Sequence, residues 1–246
     1  MKLLKKIALT AAAVSLFNLP AYAASSASAA LDWANSSLSF IVGSGSWALN
    51  DSSANAYTTN GVLSSGNANG AALATANASQ SDALGAASAQ SFASGASIGS
   101  NVTATGGNAN AWAGGNLGFS VTLLSGTVAR IVVPYTIALS TTGLYGNEAH
   151  GEFGLYSTLL TDGTEKLSFN KAFTIGAQQT QSSSDSISYL LSNFGSGSKT
   201  YNVQATAVAW ASNAVPAVPE PETYAMLLAG LGLMSAITRR RSANRS

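Results

Sequence analysis

Apolar and polar residues alternate with a period of two over much of the chain, the spacing of strands with one face buried. Leu31-Asp32-Trp33 begins the patterned region, Leu38, Phe40 and Val42 alternate with Ser39 and Ile41, and Gly43-Ser44-Gly45 turns the chain towards Trp47. Phe119, Val121 and Leu123 continue the alternation. Between Thr127 and Leu139 one face carries Ala129, Ile131, Val133, Tyr135, Ile137 and Leu139, with Arg130 opposite. Pro134 has no N–H for a ladder, so this strand is expected at an edge or with a bulge. Residues 153–160 and 167–175 flank Thr161-Asp162-Gly163-Thr164, a hairpin signal. Residues 188–191 and 201–211 flank a Gly/Ser turn at 195–198. In the last strand Val203, Ala205, Ala207, Ala209 and Ala211 face one way, and Gln204, Thr206, Val208 and Trp210 the other.

Composition changes the picture in the middle. Only nine of the fifty residues from Ser64 to Ala113 fall outside Ala, Ser, Gly, Asn and Thr. The stretch has a single charge, Asp82, whereas disordered segments are usually charged or proline-rich. Ala72, Ala74, Ala76 and Ala78 share one face if extended, so strands are expected here too, built from side chains that suit close-packed sheets. Residues 24–30 are Ala and Ser alone and predict a flexible start. Many short strands with Gly-rich turns and no convincing helix predict an all-β body over residues 24–213, a sandwich or jelly roll, with a β-helix as the alternative.

Both ends read differently. Lys2, Lys5 and Lys6 precede an apolar run from Ile7 to Leu19, then Pro20 and the small-x-small pattern Ala21-Tyr22-Ala23. These three parts predict a secretory signal over residues 1–23, helical in its apolar run and cut after Ala23 by signal peptidase. At the other end, residues 214–218 read as a linker. Then Pro219-Glu220-Pro221 precedes an apolar stretch from Tyr224 to Thr238 and the cluster Arg239, Arg240, Arg241. As a helix that stretch covers about 22 Å, short for a hydrocarbon core of about 30 Å. The arginines act as a stop-transfer signal that stays cytoplasmic, placing the body outside the inner membrane.

This order of motif, short apolar helix and basic stop over residues 219–246 resembles the PEP-CTERM sorting domain, also known as the ice-binding-protein C-terminal domain. The tail is an address and says nothing of ice. The resemblance implies processing by an exosortase, an integral-membrane protease, in an exopolysaccharide-producing Gram-negative bacterium. It implies an inner-membrane intermediate held by the C-terminal helix, then release to the cell surface or matrix. It also implies glycosylation, with which the Ser, Thr and Asn content is compatible.

Charge and chemistry remove several functions. With both ends set aside, Arg130, Lys166, Lys171 and Lys199 stand against eight carboxylates, so nucleic acid is not an expected partner. There is no cysteine and a single histidine, His150. No nucleophile elbow, phosphate loop or dinucleotide fingerprint is present, so neither a catalytic residue nor a cofactor is expected. Glu148, His150 and Glu152 would share one face of an extended chain, a weak candidate for a metal site. Their glycine neighbours predict a polar loop instead. Trp47, Trp112 and Trp210 could stack on sugars, although core packing is the expected role of each. The function expected is a structural or adhesive surface protein associated with exopolysaccharide. A carbohydrate-binding module is the alternative, and a secreted hydrolase is a remote third.

Overall fold

A computed structural model describes residues 23–59, 62–69, 72–81, 85–106, 109–142, 146–159 and 165–214. Every regular element among them is a strand, as the period-two pattern predicts, and the strands form two antiparallel sheets. The first sheet runs β12 (Thr180–Asn193), β9 (Thr127–Thr141), β1 (Ala24–Asp32), β7 (Ser97–Gly106), β6 (Gly85–Ala93), β5 (Ala74–Ser81). The second runs β11 (Glu165–Ile175), β10 (Glu148–Leu159), β13 (Lys199–Ser212), β8 (Asn110–Leu123), β3 (Gly45–Thr58), β4 (Val62–Asn69). A short strand, β2 (Ser37–Val42), also pairs with β9. The sheets lie face to face in matching order, from β9 over β10 at one side to β5 over β4 at the other. Stacked antiparallel sheets replace the β-helix alternative. The expected signal helix and the C-terminal helix lie outside the described residues.

The alternating faces fall where the sequence puts them. Ala129, Ile131, Val133, Tyr135, Ile137 and Leu139 are buried, and Arg130 is exposed. Ala205, Ala207, Ala209 and Ala211 are buried on β13 while Gln204, Thr206, Val208 and Trp210 face out. Large side chains fill the half under β9, β10 and β12, with Tyr135 tilted against Phe153 at a centroid distance of 4.8 Å.

The low-complexity segment builds a thinner half. Ala54, Ala56, Ala74, Ala76, Ala78, Ala87 and Ala89 are its core. Small side chains let the sheets approach closely enough for single hydroxyls to bridge them: Ser91 Oγ donates to the Asn55 carbonyl at 2.8 Å. A Cβ at Gly115 of β8 would stand 2.5 Å from the carbonyl oxygen of Phe92 on β6. Alanine, serine and glycine here are thus a packing solution and not a failure to fold.

Two expectations are overturned. Residues 24–30 are no flexible start; they form β1, a central strand paired to β7 on one side and β9 on the other. Alternate Ala27, Ala29 and Leu31 sink into the core, and Ser25 is only 1% exposed. Alternation in so short an Ala/Ser run is hidden, because Ser and Ala differ little in polarity. Pro134 does not mark an edge either. β12 covers one side of β9 throughout, and on the other side β1 pairs down to Tyr135 and β2 resumes at Val132. The ladder is interrupted opposite Pro134, where the chain steps out through Trp33–Ser36. The missing N–H therefore fits a central strand beside a broken neighbour.

Candidate functional site: the outer face of the second sheet

The two outer faces differ chemically. On the first sheet one complete row across six strands is hydroxylic: Ser79, Ser88, Thr103, Ser26, Ser140, Thr180. On the second sheet the register aligns Leu63 (β4), Tyr57 (β3), Trp112 (β8), Trp210 (β13), His150 (β10) and Thr174 (β11). Residues paired across strands point to the same face. This row therefore gathers aromatic groups from positions 57 to 210 onto one surface.

The rings are accessible. Tyr57 is 41% exposed and Leu63 69%, with Trp112 and Trp210 half-buried. Core packing, the role expected for Trp112 and Trp210, is thus overturned. The Trp112 indole leans over Gly114: a Cβ there would stand 2.7 Å from Cη2. Likewise the Tyr156 ring covers Gly154, where a Cβ would fall on its edge. Glycine beneath each ring lets it lie down on the sheet instead of standing away from it.

Polar groups surround the rings. His150 Nδ1 lies 2.8 Å from Thr174 Oγ1, and its Nε2 lies 3.4 Å from Glu152 Oε2. Asn170 Nδ2 donates to Glu152 Oε1 at 2.7 Å. The adjoining rows add Asn55, Asn116, Thr206, Gln204 and Asp51. Glu148, His150 and Glu152 are not in a loop; they are alternate outward positions of β10, so they share a face. They do not converge, and among the described residues no group of three His, Asp or Glu is placed to hold a metal ion. The imidazole and carboxylate instead fix one another beside Trp210.

The other tryptophans lie elsewhere. Trp33 is 6% exposed, tilted on Phe119 at 4.8 Å, and its Nε1 has no hydrogen-bond partner among the described residues. Trp47 is 47% exposed and lines, with Trp33, Ser36, Leu38, Phe119 and Ile131, a small cavity where β1 gives way to β2. Trp47 therefore sits apart from the aromatic row, and it too is not a core residue.

The start and finish of the body meet at one end. The Ala23 carbonyl accepts from Gly106 N at 3.0 Å and Asn213 Nδ2 at 2.9 Å. Ser25 Oγ reaches Asn213 Oδ1 at 2.5 Å. Ala21, Pro219, Glu220, Pro221, Arg239, Arg240 and Arg241 lie outside the described residues. Among the described residues no helix is long and apolar enough to cross a membrane.

An all-β body of two facing sheets, one with an aromatic outer row, is the class these observations define. Residues 217–242 match the PEP-CTERM protein-sorting motif, so the chain carries the tag read from Pro219-Glu220-Pro221 and the arginines. That motif implies export, membrane transit and an exosortase as processing partner. No curated protein and no solved structure matches the chain.

Proposed function

We propose that the body is a non-catalytic adhesive module that, once sorted, holds exopolysaccharide at the cell surface or in the matrix. The observation that carries this reading is the aromatic row on an outer sheet face, joined to a tag that delivers the body outside the cell. Exposed rings with hydroxyl- and amide-bearing neighbours suit sugars, whose rings have apolar faces and polar rims. His150 and Glu152 serve as part of that polar rim and not as acid and base. Signal peptidase, exosortase and the polysaccharide are its partners in turn. Deleting the gene in the producing bacterium should weaken floc or biofilm cohesion, read as release of polysaccharide under shear. Restoring the chain without residues 219–246 should not repair it. Unchanged cohesion in the deletion strain, with the tagged protein shown to be exported in the parent, would overturn the reading.

A further inference from the structure

We propose that Tyr57, Trp112, Trp210 and His150 form the floor of an elongated site for an uncharged polysaccharide laid across the strands, and that the same face rejects acidic polysaccharides. The inference rests on the adhesive reading above and adds the residues, the direction and the selectivity.

Direction follows from register. The four side chains come from the adjacent strands β3, β8, β13 and β10. With strands about 4.8 Å apart the row spans roughly 14 Å. That is the reach of a short oligosaccharide and more than one sugar ring needs. Trp112 and Tyr156 extend along their own strands, over Gly114 and Gly154, and so widen the floor without raising it. A chain of pyranose rings with equatorial linkages presents faces of axial C–H bonds. Those weakly positive hydrogens meet the negative faces of the aromatic rings.

Selectivity follows from charge. The outward positions of β3, β8, β13 and β10 carry Asp51, Glu148 and Glu152 and no lysine or arginine. On these four strands a uronic or sulfated chain would meet like charge and no outward cation. Neutral hydroxyls find acceptors in Glu152 and Asp51, and both donor and acceptor in Gln204. Glu152, already oriented by Asn170 and His150, is the best placed of these. A second copy of this chain is a poorer occupant, because carboxylates would then face carboxylates.

The test uses the mature exported protein in native gels cast with hydroxyethyl cellulose or with alginate, at physiological salt. Hydroxyethyl cellulose should retard it and alginate should not. Trp112→Ala and Trp210→Ala should each weaken the retardation roughly tenfold, with thermal unfolding close to that of the parent. Glu152→Gln, which keeps the shape of the side chain, should retain neutral binding and lessen the rejection of alginate. Retardation that survives both tryptophan substitutions would overturn this site while leaving the adhesive reading intact. Equal retardation by alginate would overturn the selectivity. No retardation by either polymer would overturn site and reading together. A dimer in light scattering that Trp112→Ala dissociates would assign the face to a second copy.

Discussion

The hydroxyl of Tyr201 donates to the Ser192 carbonyl at 2.7 Å and ties β13 to the end of β12 across the two sheets. Burial pushes the Tyr201 hydroxyl above its ordinary value. The folded state therefore keeps this proton when the unfolded chain would release it, near pH 10. Stability from this source is full below that pH and is lost as pH rises through the raised value. Tyr201→Phe removes the hydrogen bond at a cost of about 1 kcal/mol. In urea unfolding the gap between parent and variant should be widest near neutral pH and should narrow above about pH 10. A gap independent of pH would overturn this account. Lys171 shows the same dependence of chemistry on place. It donates to the Tyr135 hydroxyl and lies 3.8 Å from Asp185, so its ammonium is held above the ordinary lysine range, chiefly by the bond to Tyr135. Both residues were legible in sequence as members of strands. Neither partner was, because Tyr135 and Lys171 are brought together only by the facing of two sheets.

Among the elements β1 has the largest consequence for its length. It joins β9 to β7, so without it the first sheet separates into β12-β9-β2 and β7-β6-β5. It begins at Ala24, the residue that cleavage after Ala23 would leave first, so no slack is needed between processing and the core. Deleting residues 24–30 should abolish the cooperative thermal transition of the exported body, followed by circular dichroism. A transition at the parent's temperature would restore the flexible start that the composition predicts. β10 shows a smaller failure of the same kind. Gly143, Gly146, Gly151 and Gly154 suggested a loop around His150; Gly143 lies outside the described residues, and of the other three only Gly146 is at a turn, with φ of 64°. An Ile137 methyl takes the space that a Cβ at Gly151 would fill, within the core, and the Tyr156 ring takes the space of one at Gly154. Glycine selected for close approach cannot be told from glycine selected for a turn until the neighbour is known.

At the scale of the whole molecule the body's two ends meet, Ser25 donating its hydroxyl to Asn213 Oδ1. The tag matched at 217–242 follows Ala214 within a few residues. Only five residues, 214–218, separate Asn213 from Pro219. Mass spectrometry of the mature protein should find an N-terminus at Ala24 and a C-terminus near residues 219–221. An intact Arg-rich tail on the surface form would overturn processing by the tag. Most of the strands, their buried faces and the sorting motif were legible in the chain alone. Each of these depends on neighbours close in the chain: side-chain period, proline and glycine, and an apolar run framed by charge. The tertiary structure alone decided that 24–30 is a central strand, that Pro134 sits beside a break, and that Tyr57, Trp112, Trp210 and His150 form one row. Those facts depend on register between strands far apart in sequence, and register is set by the packing of two sheets, which no local pattern contains.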